Sequence, residues 1–280
     1  MPLVWLALLL ASPVLLALAE ARAPPTSLSR QQQAHPVQAL MLGRFSNLEQ
    51  AKRDARAGRP TAAQGGHEHV TAIITQHPNK ALPRVLLAQY FLGTDPTLTF
   101  RLRCYEFCGG ADPGEDEEKE EKEEEKGAVR MRLYRPLPPT EQVLKSVKYD
   151  TTHPVVRDLP SFSLPFGGQL RKLSTGQLLQ RDFEYLSGCD VLWRFRQTTF
   201  PFTSWPLPFL PRYYHGSLAE GSCTICSQQD PSLRLIAKDD LRLSKRRLDI
   251  NDRVYTLEGK QVIGSADGTP YRLVREEGLE

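Results

Sequence analysis

Three sets of residues in this chain have types and spacings that could do chemistry. The first is its five cysteines, Cys104, Cys108, Cys189, Cys223 and Cys226. Cys223-Thr-Ile-Cys226 is a CxxC and Cys104 with Cys108 a CxxxC, spacings that hold zinc in other proteins. Cys104 and Cys108 flank a strand end, however, and the two pairs lie far apart in sequence, so no metal site is expected. No βαβ pattern surrounds the CxxC, which disfavours a thioredoxin-type redox centre. Disulfides are the default in an exported chain, and an odd count leaves one cysteine unpaired or paired elsewhere. The second set is His67 and His69, which alternate on the approach to a strand; such a pair can bind metal, but exposed strand-edge histidines are commoner. The third is two pairs of alternating arginines, Arg101 with Arg103 and Arg130 with Arg132. There is no GxSxG elbow, Walker loop or HExxH pair.

The arginines need strands to aim them. In Thr97–Phe107, Leu98, Phe100, Leu102 and Cys104 alternate with Thr99, Arg101, Arg103 and Tyr105. The period of two puts the apolar set on one side and both arginines on the other. In Val129–Tyr134, Val129, Met131 and Leu133 alternate with Arg130, Arg132 and Tyr134. The two segments read as a hairpin, with all four arginines expected on one face. If that face is outside, they are solvated charges. If it lines a barrel, they can clamp the carboxylates of an anionic ligand through bidentate bonds, and a barrel of roughly eight to ten strands can enclose one small ligand. The hairpin loop is swollen by residues 109–127, which carry ten acids against three lysines. Such an insertion at a hairpin tip is thermodynamically cheap and favours solvent.

The rest of the chain is mostly short strands. Val37, Leu40, Met41 and Phe45 recur at helical spacing, and Ser46 with Glu49 reads as a capping box for a following helix. His67–Gln76 and Val85–Leu92 read as strands. Ser174–Gly188 reads as a helix, opened by Ser174 and Gln177 and stopped by Gly188. Strands resume at Val191–Arg196, Gly221–Ser227, Leu233–Ala237, Arg253–Leu257 and Tyr271–Arg275, with a proline-rich loop at Pro201–Pro211. No internal repeat is evident. Many short strands and few helices point to an all-β antiparallel barrel or sandwich.

The apolar run Leu3–Ala19, followed by small residues to Ala23, reads as a secretory signal over residues 1–23, so the protein is expected in the secretory lumen or outside the cell. Residues 24–36 form a Pro/Gln-rich spacer expected to be disordered. No second apolar run reaches the roughly 20 residues of a membrane span, so no membrane association is expected after signal removal. The net charge of +3 hides an asymmetry: the acidic insertion sums to −7, leaving about +10 elsewhere. That balance suits anionic ligands or, equally, an ordinary solvated surface, while no basic-aromatic pattern argues for nucleic acid.

Several segments, in order, resemble the CpcT/CpeT chromophore lyases, which attach linear tetrapyrroles (bilins) to phycobiliproteins. Gly43-Arg-Phe-Ser-Asn-Leu-Glu-Gln-Ala51 resembles the family's early Phe-Ser-Asn-x-x-Gln-Ala signature. His69 falls where the family carries a His, and Phe100-Arg-Leu-Arg103 resembles its aromatic-Arg-x-Arg core. Leu186-Ser-Gly-Cys-Asp190 and Ala219-Glu-Gly-Ser-Cys223 resemble two later Gly-Cys steps, and the order continues through Leu248-Asp249 and Gly264-Ser265. The likeness covers most of residues 38–275. It implies a lipocalin-like (calycin) antiparallel β-barrel with a few flanking helices over 37–276.

The resemblance also implies a bilin as ligand or substrate, with no separate cofactor, a phycobiliprotein-like acceptor as partner, and a possible homodimer. By position it implies Phe100, Cys189 and Cys223 at the bilin, Arg101 and Arg103 on its propionates, and His69 as a proton relay; the strand pattern, not the resemblance, adds Arg130 and Arg132 as ligand-binding candidates. A partner's cysteine would then add to the bilin's vinyl-type carbon, with positioning supplying most of the rate. Phe100 stands where the family has Tyr, Thr71 where it has Arg, and Ile263 where it has Trp. In an exported chain Cys189 and Cys223 are expected as a structural disulfide. These departures give the alternative: a secreted lipocalin-like carrier of a small ligand, without catalysis.

Overall fold

The computed structural model describes residues 36–79, 82–108, 128–146, 179–197, 212–226, 230, 232–265 and 267–276. The signal, the acidic insertion, the proline-rich loop and residues 174–178 of the expected helix lie outside them. Among the described residues no helix is long and apolar enough to cross a membrane.

The chain opens with a short helix α1 (Pro36–Met41), strand β1 (Gly43–Ser46) and helix α2 (Leu48–Arg56). Strands follow as β2 (Val70–Gln76), β3 (Val85–Leu92), β4 (Thr99–Phe107) and β5 (Ala128–Pro136). After helix α3 (Pro138–Ser146) come β6 (Phe183–Tyr185), β7 (Val191–Gln197), β8 (Arg212–Leu218), β9 (Cys223–Cys226), β10 (Arg234–Leu243), β11 (Arg247–Thr256), β12 (Gln261–Ile263) and β13 (Tyr271–Arg275). Ten strands close on themselves in the order β11-β13-β1-β2-β3-β4-β5-β7-β8-β10, with β10 pairing back to β11. Every pairing is antiparallel. Closure satisfies the edges of the ten staves, and β6, β9 and β12 add to the sheet outside that ring. The fold is the lipocalin-like all-β barrel.

Alternation decides what fills it. Val70, Ala72 and Ile74 of β2, Leu86, Ala88 and Tyr90 of β3, Tyr105 and Phe107 of β4, and Leu248 and Val254 of β11 belong to one buried interior cluster. A second cluster lies on the barrel's other face, where Leu102, Cys104 and Tyr134 pack with Leu144 of α3 and with Leu179 and Phe183. Strand β4 therefore has two buried faces: Leu102 and Cys104 meet α3 and β6, while Arg101, Arg103, Tyr105 and Phe107 enter the barrel, and a register shift at Phe100 turns that ring toward the barrel mouth.

Three local expectations are corrected. The helix through Phe45 stops at Met41, because Phe45 pairs as a strand with Ala72 on one side and Arg275 on the other. The capping box at Ser46 does not form. Asn47 is the N-cap of α2, and its side chain is taken up by the Val70 N–H (2.7 Å) and the Glu68 carbonyl (2.9 Å). The Ser46 hydroxyl accepts from Leu48 N–H, while Glu49 turns to Lys52. Finally, Phe183–Tyr185 is a strand rather than helix, since it pairs with Tyr134–Pro136 of β5. The apolar stripe is real, but cross-strand bonding overrides its helical period.

Trp193 of β7 is fully buried and lies over Gly216 of β8, its direct cross-strand partner. A Cβ at Gly216 would sit 2.9 Å from the indole ring. Gly216→Ala is expected to destabilise the barrel by about 1–3 kcal/mol through overpacking. A denaturant midpoint unchanged from the parent would show that the indole can move aside.

Candidate binding site inside the barrel

The barrel interior holds a cavity in two lobes. The inner lobe, about 80 Å³, is lined by Arg103, Tyr105, Trp193, the Cys189–Cys223 pair and Asp239, among others. The outer lobe, about 200 Å³, is lined by Glu68, Leu92, Phe100, Ile263, Tyr271 and Leu273, among others. Tyr90, Arg101, Ile250 and Asp252 belong to both. The boundary between the lobes is thus an ion pair: Arg101 Nη1 donates to Asp252 Oδ2. Leu92, Phe100 and Ile263, at 42%, 49% and 49% exposure, give the outer lobe an open apolar rim.

Strand register explains how these groups meet. Tyr90 of β3 is directly opposite Arg101 of β4. Asp239 of β10 is directly opposite Asp252 of β11. Two carboxylates so placed repel; Arg101 reaches Asp252 across the barrel, and the charge of Arg103, whose Nη1 donates to the Leu102 carbonyl, acts on the pair from nearby. Asp239 and Asp252, as direct cross-strand partners facing the same cavity, come close enough to share a proton. Burial, reinforced by the charge of Asp252, pushes the Asp239 carboxyl up to about 8. Burial opposes the charge on Arg101, but the adjoining Asp252 outweighs it and holds the guanidinium firmly protonated. Burial also lowers Arg103 somewhat, with Arg101 adding repulsion. Arg101 keeps 26% of its side-chain surface open, though ringed by protein, as expected for a group facing a cavity. With two arginines, one aspartate and one protonated aspartic acid, the centre carries a net single positive charge at neutral pH.

The phenols complete the setting. Tyr90 and Tyr105 hydroxyls are 3.1 Å apart, and burial raises both above the ordinary phenol, Tyr105 well above it. In the outer lobe the Tyr271 hydroxyl donates to Glu68 Oε2 at 2.8 Å, while Glu68 Oε1 accepts from the Ala62 N–H at 3.0 Å.

Arg101, Arg103, Phe100, Cys189 and Cys223 all line this cavity. Cys189 and Cys223 are joined as a disulfide, with Cα atoms 5.0 Å apart. The other three anticipated residues are elsewhere. Arg130 and Arg132 do not share a face with Arg101 and Arg103. The β4–β5 register pairs Tyr105 with Leu133 and Phe107 with Met131, odd with odd, so Val129, Met131 and Leu133 enter the barrel and the even-numbered arginines leave it. Each strand's alternation was legible, but the phase between them is set by register.

His69 is also outside. Val70, Ala72 and Ile74 point inward, so His69 has the opposite parity; its Nε2 lies 2.9 Å from Ser46 Oγ and it lines neither lobe. Burial lowers its basicity. His67 is a buried clamp between α2 and the approach to β13, with Nδ1 2.6 Å from Asp54 Oδ2 and Nε2 3.0 Å from the Thr269 carbonyl.

Sequence reasoning missed Asp239, Asp252, Tyr90 and Tyr105. Asp239 falls in Lys238-Asp-Asp240, which looks like a strand's end; β10 in fact continues to Leu243. Among the described residues Cys104, Cys108 and Cys226 are free thiols; burial raises the first well up and pushes the second up to about 12. Neither is poised as a thiolate. No group of three or more His, Cys, Asp or Glu among the described residues could hold a metal ion.

No family model and no curated protein matches this sequence. Among solved structures, the selenomethionine form of the CRL protein of Arabidopsis is similar over 86% of this chain and 95% of its own, with a TM-score of 0.50 and 15% identity. At that distance the likeness is one of fold: the two chains share the antiparallel barrel.

Proposed function

We propose that this barrel binds an elongated, largely apolar molecule ending in carboxylate, and that a linear tetrapyrrole is its first candidate ligand. The observation that carries the reading is the pair Arg101 and Arg103, turned inward beside an apolar-rimmed lobe. Guanidinium groups in such a setting bind carboxylates by paired hydrogen bonds, and a bilin propionate is one such carboxylate. The sequence resemblance to the CpcT/CpeT lyases points to the same chemistry. The two lobes are small for a whole tetrapyrrole, so the propionate-bearing part would sit at Arg101 while the remaining rings lie in the mouth against Leu92, Phe100 and Ile263.

Two observations favour carriage over covalent transfer. His69, the candidate proton relay, lies outside the cavity, and the two cysteines that line it are tied in a disulfide. A lyase reaction would still be open to this chain, since the attacking thiol belongs to the acceptor; it would rely on positioning.

The test is to mix the purified protein with biliverdin or phycocyanobilin, with and without an apo-phycobiliprotein. Absorbance reads binding, and zinc fluorescence on a denaturing gel reads covalent transfer. A red-shifted, sharpened bilin band without labelled acceptor is the expected result. Labelled acceptor would establish lyase activity, and an unchanged spectrum would overturn the bilin reading.

A further inference from the structure

The ion pair dividing the two lobes occupies the group a ligand carboxylate needs. Arg101 is engaged by Asp252, and both face the outer lobe, whose open rim is the way in. Asp252 in turn has a second neighbour, Asp239, directly opposite it across the strand pair. We infer that a carboxylate arriving through the outer lobe takes the place of Asp252 on Arg101, and that Asp252 is then held by the proton it shares with Asp239, making binding proton-linked. This rests on the proposed binding of a carboxylate ligand and adds how the site is regulated.

The charges around the pair support the exchange. Facing it are Arg101, Arg103 and Tyr105 from β4, Tyr90 from β3, and, at the outer lobe, Tyr271 of β13 with Glu68. While Asp239 and Asp252 share one proton, the two arginines and two aspartates sum to one positive charge, the Glu68 carboxylate being satisfied apart from them by Tyr271 and the Ala62 N–H, and a carboxylate arriving at Arg101 neutralises it. Once that proton leaves, the centre is already neutral, and a carboxylate at Arg101 would stand beside two anionic aspartates. Binding is therefore strongest below about pH 8, where the proton is present. Above it, each bound carboxylate must bring a proton with it, and affinity falls by up to about tenfold per pH unit, the limit for one linked proton. The arginines keep their charge throughout this range.

The exchange also fits the sizes of the lobes. Arg101 and Asp252 line both lobes, so their contact lies between the two volumes. Moving Asp252 toward Asp239 joins the two volumes without breaking a strand pairing, since both aspartates stay on their own strands.

The experiment uses the full chain and biliverdin, with its dimethyl ester as the probe that lacks carboxylates. Titration calorimetry at pH 7 and pH 9, the latter in two buffers of different ionisation enthalpy, counts protons taken up. At pH 9 the uptake should approach one proton per biliverdin. Asp239→Asn, isosteric and unable to titrate, should bind biliverdin with little pH dependence and no linked uptake. Asp252→Asn, which frees Arg101, should bind several-fold more tightly at pH 7. Thermal melts establish that each variant is folded. Equal binding of the ester, a pH-independent affinity in the parent, or weaker binding by a folded Asp252→Asn protein would each overturn the exchange while leaving the bilin reading in place. No binding of biliverdin at either pH would remove that reading and the exchange with it.

Discussion

Arg101→Ala is expected to destabilise the barrel by about 3 kcal/mol and to weaken biliverdin binding more than any other single change at the site. The first part follows from what is left behind. Asp252 would face an interior from which its partner has been removed, and breaking one side of a buried pair costs roughly 3–5 kcal/mol. The lower end applies because Arg103 remains nearby in the same cavity. In a domain of this size about 3 kcal/mol lowers the melting temperature by roughly 6–12 °C. Arg101→Ala/Asp252→Ala should recover much of the loss, since it removes both charges together. A melting curve for Arg101→Ala that overlays the parent would mean the pair is screened by cavity solvent and does little for the fold.

The same cluster sets a pH trend in stability. Asp239 has a folded-state value raised from about 4 to about 8. Across that window the folded chain binds more protons than the unfolded one, so stability declines as pH rises from about 4 to about 8. Asp239→Asn removes the group that titrates and should flatten the decline.

The barrel was largely legible because its strands carry strong alternation. Val85–Leu92 and Tyr271–Arg275 fall where the pattern puts them, and Val191–Arg196 is short by one residue. What could not be read was anything fixed by contacts between distant segments. Arg130 and Arg132 have the same local pattern as Arg101 and Arg103, and only the pairing of Tyr105 with Leu133 sends them outward. Asp239 and Asp252 are thirteen positions apart on a polar hairpin, where acids ordinarily mean solvent. They become interior because Arg101 and Arg103, more than a hundred residues earlier, compensate them. Phe183–Tyr185 shows the same limit: its neighbours carry a helical stripe, but β5 offers it a strand partner. A buried charge cluster leaves no periodic trace, since each member looks like an interruption of its own strand.

Removing the Cys189–Cys223 bridge is the other change expected to be large. The two cysteines are 34 residues apart, and closing a loop of that length in the unfolded chain contributes about 3–4 kcal/mol on the chain-entropy account. The folded side adds a local reason. Strand β9 is four residues long and, among the described residues, pairs only with β10, so Cys223 is what ties it to the turn before β7. Cys223 and Ile225 are also wall residues of the inner lobe. Without the bridge β9 is held by a few backbone bonds, and its detachment opens the inner lobe to solvent. Cys189→Ala/Cys223→Ala is therefore expected to lower the melting temperature by roughly 10 °C. Hydrogen exchange should accelerate in β9 before it does in β3 or β4, whose backbone bonds lie between two strands each. Biliverdin binding should weaken with it, because Arg103 and Asp239 would then face water, where a charged hydrogen bond is worth less than in a closed interior. Identical melting of the oxidised and reduced parent protein would show that β9 holds without covalent help, and the disulfide would then have to be explained by something other than the stability of the inner wall.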